Sequence, residues 1–369
     1  MKKILLCFGT RPEAIKMAAI CMALKQRQLP YKLCVTAQHR HMLDQVLEFF
    51  DLIPDFDLNC MQPNQSLSQL SSRILSEMDK IFEKERFDLV LVHGDTTTST
   101  MVALAAFHCG IQVAHVEAGL RTYNKRSPFP EELNRQITGR ISDFHFAPTE
   151  KAKQNLLNEY VQASQILVTG NTVIDALFYT LNKIDNGYTN GFIENLAKKI
   201  DFSKKIVLVT GHRRESFGAG FENVCEAILE ISKKHDVEIV YPVHLNPNVQ
   251  NVVYEKLSNI KNIHLIAPLD YPSFVWLMRK SNLIISDSGG IQEEAPSLNI
   301  PVLVTRETTE RDEGIQARCS ILVGTDPNRI IEETRKVLNN SDAVNCMNNP
   351  YGDGFAAINI VEFIQNNSI

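Results

Sequence analysis

The sequence predicts an α/β protein of two doubly wound domains, and three observations carry that prediction. Short β-branched runs alternate with helix-length segments, the runs are continuously apolar, and the whole series begins again near mid-chain. Its 369 residues also exceed the roughly 250 to 300 at which a single core stops growing, so two cores are expected. Hydrophobic residues at 44% and charged residues at 22% are ordinary globular values, which excludes general disorder and fibrous repeats.

Residues 4–8, 32–36, 88–93, 112–117 and 145–147 read as strands buried on both faces. Between them, residues 12–27, 41–50, 66–84, 97–109 and 131–141 have the length of crossover helices, so the strands should run parallel. After residue 171 the pattern restarts with strands at 206–210, 237–242, 263–266, 283–286 and 301–304. The stretch 183–201, with Asn-Gly at 186 and 190, reads as a polar, irregular surface segment.

A net charge of -5 gives no global basic surface, which argues against a nucleic-acid partner and leaves small anionic ligands open. The apolar run 4–8 stops too soon for an export signal, and no run approaches the roughly 20 apolar residues of a membrane helix. A soluble, cytoplasmic protein is expected. The eight cysteines form no Cys-x-x-Cys pair and read as reduced core thiols, neither a zinc site nor a disulfide frame.

In open parallel sheets ligands bind beyond the carboxyl ends of strands. The first strand leads into Gly9-Thr10-Arg11-Pro12-Glu13, where Arg11 at a helix start suits a phosphate or is simply a solvated side chain. His93-Gly94-Asp95-Thr96-Thr97-Thr98 puts Asp95 at another strand end, as a reacting carboxylate or as the next helix's cap. His115-Val116-Glu117-Ala118-Gly119 adds Glu117, and the helix opening at Glu131 adds a third acid that its dipole would favour anyway. Three acids converging on one rim suit acid and base work.

In the second half, Gly211-His212-Arg213-Arg214-Glu215 is a polar strand end suited to a phosphate leaving group, or a surface loop. Val243-His244-Leu245-Asn246 is another such end. Asp287-Ser288-Gly289-Gly290-Ile291-Gln292-Glu293-Glu294 reads as strand, small-residue turn and helix. Its backbone N–H groups from Ser288 to Gly290 suit a diphosphate and Glu294 suits ribose hydroxyls, or Gly289-Gly290 is only a tight turn. There is no P-loop, no complete dinucleotide fingerprint, since Gly218-Ala219-Gly220 lacks a third glycine, and no catalytic-metal spacing. Neither a bound cofactor nor a metal is expected.

Gly9-Thr10-Arg11-Pro12-Glu13-Ala14-Ile15-Lys16-Met17, His93-Gly94-Asp95-Thr96-Thr97, His115-Val116-Glu117-Ala118-Gly119-Leu120-Arg121, Gly211-His212-Arg213-Arg214-Glu215 and Asp287-Ser288-Gly289-Gly290-Ile291-Gln292-Glu293-Glu294-Ala295-Pro296 together resemble the non-hydrolysing bacterial UDP-N-acetylglucosamine 2-epimerases. The resemblance spans nearly the whole chain. It implies two Rossmann-like domains facing across a cleft, of the glycosyltransferase-B type, usually in a homodimer. The expected domains are residues 1–170, rejoined by a last helix within 355–369, and residues 171–354.

The chemistry such an enzyme faces fits these residues. The C2 hydrogen of the sugar is not acidic, so inversion needs either oxidation or loss of the C1 leaving group. The resemblance implies the second route, with UDP leaving, 2-acetamidoglucal held, and UDP returning after reprotonation on the other face. Two faces need two proton-handling positions. By resemblance, Asp95, Glu117 and Glu131 are the acid/base residues and His212 steadies the diphosphate. Ser288, Gly289, Gly290 and Glu294 hold UDP, Phe274 lies on the uracil side, and Arg11, Lys16 and Arg311 add ligand contacts. Gln38, His39 and Arg40, with Arg213 and His244, match positions that bind a second, activating UDP-N-acetylglucosamine. Asp312, where the family usually has proline, and Arg318, where it has glycine, depart from the pattern. Two other readings compete: a hydrolysing epimerase or glycosyltransferase on the same fold, and a silent sugar-nucleotide sensor. The sensor reading conflicts with the presence of all three acids and His212.

Overall fold

Strand β1 (Ile4–Phe8) is buried at every position and leads directly into helix α1 (Arg11–Gln26). The computed structural model describes residues 2–37, 40–62, 64–211, 218–339, 346 and 348–367, without the side chains of residues 40 and 41. The chain continues through β2 (Tyr31–Val35), α2 (Arg40–Phe49), β3 (Phe56–Asp57), α3 (Leu67–Lys84), β4 (Leu89–His93), α4 (Thr97–His108) and β5 (Gln112–Val116). Then come α5 (Glu131–Ile141), β6 (Phe144–Ala147), α6 (Glu150–Asn158), β7 (Ile166–Val168) and α7 (Thr172–Asp185). The seven strands form one sheet in the order β3-β2-β1-β4-β5-β6-β7, and every pairing is parallel. Because the order reverses between β1 and β4, the loops after these two strands diverge there, which is where a doubly wound sheet takes its ligand.

The second sheet repeats the arrangement. Its elements are α8 (Gly191–Lys199), β8 (Lys205–Thr210), α9 (Ala219–Lys234), β9 (Val237–Pro242), α10 (Pro247–Leu257), β10 (Ile263–Ile266), α11 (Tyr271–Arg279) and β11 (Leu283–Ser286). They continue as α12 (Gly289–Glu294), β12 (Val302–Val304), α13 (Asp312–Gln316), β13 (Ser320–Leu322) and α14 (Pro327–Asn339). The order β10-β9-β8-β11-β12-β13, again parallel, puts the reversal between β8 and β11.

Two units result, residues 1–176 with 351–369, and residues 177–350, so the boundary falls inside α7. The last helix, α15 (Ala356–Asn366), belongs to the first unit and packs on α1. Its Ile360, Val361 and Ile364 are buried, and Phe363 meets Phe144 and Phe146 edge-on with ring centroids 5.6 and 5.5 Å apart. Each such buried side chain stabilises by roughly 1.5 to 3 kcal/mol. In each unit an apolar core lies against the sheet, Leu5, Val90, Ile74 and Val102 contributing to the first and Val207, Ile228, Ile239 and Ile285 to the second.

Two expectations need correction. Residues 191–199 are helix α8: Asn190 caps it by accepting from Ile193 N at 3.0 Å, and Ile193, Leu196 and Ile200 lie buried at helical spacing. The turn residues at 186 and 190 marked the ends of helices, not an irregular tract. The cysteines are not all thiols either, because Cys319 and Cys346 form a disulfide. Spacing in sequence carried no sign of it, since their approach depends on how β13 and the segment after α14 fold together. Of the six free cysteines, Cys7, Cys21, Cys34, Cys60 and Cys225 are buried and Cys109 is exposed. No helix among the described residues is long and apolar enough to cross a membrane.

Candidate active site

The first unit gathers its polar residues at the β1/β4 reversal. Pro12 lies in the first turn of α1, and Arg11, half-buried, is its first residue. Glu13 turns back so that its Oε2 accepts from Thr10 N at 2.8 Å and Gly9 N at 3.1 Å. Its Oε1 accepts from Thr96 Oγ1 at 2.7 Å, and Thr96 itself caps α4 by accepting from Ser99 N at 3.1 Å. The starts of both helices are thereby tied together. Burial pushes the Glu13 carboxyl up to about 7, against the hydrogen bonds from Thr96, Thr10 and Gly9.

Since Thr96 is the cap, Asp95 is released from that duty. Its carboxylate pairs with Arg135 at 2.5 Å, and its carbonyl accepts from Asn134 Nδ2 at 2.9 Å, both from α5. Glu117 follows β5 in the left-handed region, with φ 60°, a conformation costly for a non-glycine residue and typical of positions held for function. Its Oε2 receives the Lys16 ammonium, in a pair whose side chains are both 9% exposed, and Asn171 Nδ2 at 2.7 Å. His93 Nε2 lies 3.8 Å from the same oxygen. Burial pushes His93 down to about 4, with Lys16 adding to the effect and Glu117 and Asp95 opposing it, so His93 is neutral near pH 7. Both acids therefore act on one buried imidazole. Glu131 opens α5, four residues before the arginine that holds Asp95, and its Oε2 is shielded with no hydrogen-bond partner among the described residues. Behind this rim His115 Nε2 meets Gly94 O at 2.7 Å and braces the turn.

The second unit builds a different rim. Thr210 and Ser286, at the ends of β8 and β11, share a hydrogen bond of 2.7 Å, and Ser286 Oγ accepts from Ser288 N at 2.9 Å. Ser288 N is thus already engaged, and the amides of Gly289 and Gly290 lie in the first turn of α12. Gly289 has a packing reason to lack a side chain, because an added Cβ would lie 2.9 Å from Arg311 Cζ. Arg311 Nε donates to Glu293 Oε1 at 3.0 Å, so the guanidinium lies beside the turn. Burial works to raise Glu310, but Arg311 and Arg306 hold its carboxyl at about 2. Glu294 Oε1 accepts from Tyr271 OH at 2.7 Å; Tyr271 opens α11, which also carries the half-buried Phe274. Asp312 begins α13, where proline and acidic residues both suit a helix start. Arg318 has φ 56°, the left-handed geometry for which glycine is the natural occupant.

Arg11, Lys16, Asp95, Glu117 and Glu131 thus lie on the first unit's rim, and Phe274, Ser288, Gly289, Gly290, Glu294 and Arg311 on the second's. His244 is exposed after β9, its Nδ1 accepting from Asn246 N at 3.1 Å. Gln38, His39, His212 and Arg213 lie outside the described residues, as does the side chain of Arg40. Sequence reasoning missed Tyr271 and Asn171. Asn171 was signalled by its place after a strand, but β7 has three residues, too few to read as a strand. Among the described residues no group of three His, Cys, Asp or Glu is placed to hold a metal.

Comparison with known proteins identifies the family. The chain is 52% identical over 375 aligned residues to the UDP-N-acetylglucosamine 2-epimerase of Yersinia pestis, covering 100% of this chain and 99% of that protein. The crystal structure of the Neisseria meningitidis UDP-GlcNAc 2-epimerase bound to UDP-GlcNAc superposes with a TM-score of 0.93 at 48% identity, covering 99% of this chain and 100% of the other. That of Methanocaldococcus jannaschii, in complex with UDP-GlcNAc and UDP, has a TM-score of 0.85 at 34% identity over 99% and 100% of the two chains. With the family's sequence profile, described as UDP-N-acetylglucosamine 2-epimerase, matching residues 22–365, the chain belongs to the UDP-N-acetylglucosamine 2-epimerase family.

Proposed function

We propose that this enzyme interconverts UDP-N-acetylglucosamine and UDP-N-acetylmannosamine by eliminating and re-adding UDP. A base takes the C2 proton while the C1–O bond breaks. The C–H electrons become the C1=C2 bond of 2-acetamidoglucal, and the C1–O pair leaves with the diphosphate. Protonation at C2 from the opposite face and return of the diphosphate oxygen to C1 give the epimer. The observation that carries this reading is the first unit's acidic rim: Asp95 and Glu117 around one neutral histidine, with Glu131 presenting an unpartnered oxygen. Carboxylates at separate positions are what proton transfer on two faces of a ring requires.

In this reading Asp95, Glu117 and Glu131 handle protons, while Gly289 and Gly290 hold the diphosphate through backbone amides. Glu294, steadied by Tyr271, takes the ribose, and Phe274 lies beside the uracil. Arg11, Lys16, Arg311 and His212 offset the charge that grows on the leaving group. A second UDP-N-acetylglucosamine binds at Gln38, His39, Arg40, Arg213 and His244 as an activator. The working form is a cytoplasmic homodimer, and its product feeds surface polysaccharide synthesis.

The test is incubation with UDP-N-acetylglucosamine in deuterated water, followed by NMR at C2. Conversion to the manno epimer with deuterium at C2 is expected. Release of free N-acetylmannosamine, or epimerisation without deuterium, overturns the reading.

A further inference from the structure

The chain leaves the first unit through Gly170, Asn171 and α7, and re-enters it at Tyr351 and Gly352. These two passages are pinned to each other, backbone against backbone. Asn171 N donates to Tyr351 O at 2.7 Å, and a Cβ on Gly170, whose φ is 84°, would lie 3.1 Å from Gly352 Cα and 3.3 Å from Tyr351 O. No side chain fits between them, so the position of Asn171 is set by main chain on both sides.

Its side chain is equally committed. Asn171 is 3% exposed, and its Oδ1 accepts from Val173 N at 3.1 Å, capping α7. That bond decides which way the amide faces: with Oδ1 on the helix, Nδ2 is the atom turned to Glu117 Oε2, 2.7 Å away. Ser, Thr and Asp cap helices as well as Asn does, but none of them offers both a cap acceptor and a second, donating arm. The residue type is therefore explained by the carboxylate and not by the helix. Lys16 meets the same Oε2, so two donors on one oxygen fix the rotation of the carboxylate, and Oε1 lies over Gly94, 3.8 Å from where a Cβ would sit. Gly94 immediately precedes Asp95.

We propose that Asn171 is the positioning residue for Glu117, presenting its carboxylate in a reacting orientation from the point where the chain passes out of and back into the first unit. The proposal rests on the reading of Glu117 as a proton-handling group. Asn171 itself does not touch the substrate in this scheme; it sets where Glu117 points and favours its ionised form.

The experiment uses the full chain with Asn171→Ser and Asn171→Asp, both of which keep a cap acceptor for α7, alongside Glu117→Gln. Steady-state kinetics over pH and C2 deuterium exchange are measured. Both Asn171 variants are expected to lose about 10- to 100-fold in kcat and in exchange rate, with KM within about threefold of wild type. In Asn171→Asp a second negative charge faces Glu117, so the ionisation governing kcat moves to higher pH. Glu117→Gln is expected to be nearly inactive, which establishes the underlying role separately. If Glu117→Gln is inactive while both Asn171 variants keep wild-type kcat and pH profile, the positioning role is wrong. A lower unfolding temperature with an unchanged pH profile shows a structural cap only and overturns it as well. If Glu117→Gln keeps near wild-type turnover, the role of Glu117 falls and the positioning of Asn171 falls with it.

Discussion

At the scale of single residues, the two rims differ in chemistry. The acids of the first unit lie among donors that orient them: Arg135 and Asn134 for Asp95, Lys16 and Asn171 for Glu117. Amide replacements that keep shape while removing the exchangeable charge should strike the reaction and spare nucleotide binding. Asp95→Asn, Glu117→Gln and Glu131→Gln are each expected to lower kcat by about 10²-fold or more, with UDP affinity by calorimetry little changed. Any one that retains near wild-type turnover leaves the proton-handling set. Gly289→Ala probes the other rim. Its Cβ would meet Arg311 Cζ at 2.9 Å, so the guanidinium must move off the turn. UDP affinity should fall about tenfold or more; unaltered binding would show that Arg311 yields its place without consequence.

At the scale of elements, helix starts are the instruments that place these residues. Thr96 caps α4 and reaches Glu13 of α1, so the two helices bordering the sheet reversal are joined by one hydroxyl, and Asp95 is free to face α5. In the second unit a covalent link serves the loop that carries Arg311. The Cys319–Cys346 disulfide spans a sequence separation of 27 and ties the entry of β13 to the segment holding Asn349, which donates to Glu293 O at 2.9 Å. Glu293 in turn accepts from Arg311. A loop of that length contributes about 3.5 kcal/mol by the chain-entropy argument. Cys346→Ser should therefore lower the unfolding temperature, and a reducing agent should lower that of the wild type to the same extent while leaving the variant unmoved. Equal melting with and without reductant in the wild type would show that the bond contributes nothing.

At the scale of the whole molecule, the buried ionisable groups of the first unit predict its response to pH. Burial holds His93, His115 and His145 at about 4, 3 and 4, against an ordinary value of 6.5. Their contribution to stability is complete above pH 6.5 and is lost as pH falls through these values, because the unfolded chain then binds protons the native one refuses. Glu13 runs the opposite way. Raised from 4.5 to about 7, its contribution is full below 4.5 and is lost as pH rises through 7. Asp175, which burial raises to about 6, acts in the same sense as Glu13, and near pH 5.5 the three histidines take up more protons on unfolding than these two carboxyls release, so stability falls toward acid. Denaturant unfolding between pH 7 and 5 should show stability falling toward acid; stability that rises toward acid would mean that these histidines are not excluded from protonation in the native state.

Much of this protein was legible in its sequence because its signals are local. The apolar run 4–8 and the helix opening at Glu131 appear in the structure with the same limits, and the strand-end rule pointed to Asp95, Glu117 and the Gly289-Gly290 turn. Strands β3, β7 and β13, each at a sheet edge and two or three residues long, have too few residues to show a period. Other features required the chain to be folded, since each joins residues far apart in sequence. Cys319 meets Cys346, and Asn171 reaches Glu117 across 54 positions while its backbone meets Tyr351. The sequence determined which chemical groups stand at which strand ends. The tertiary structure alone decided which donor faces which carboxylate, because hydrogen-bond partners are chosen by proximity in space, and proximity is set by how the sheet orders its strands.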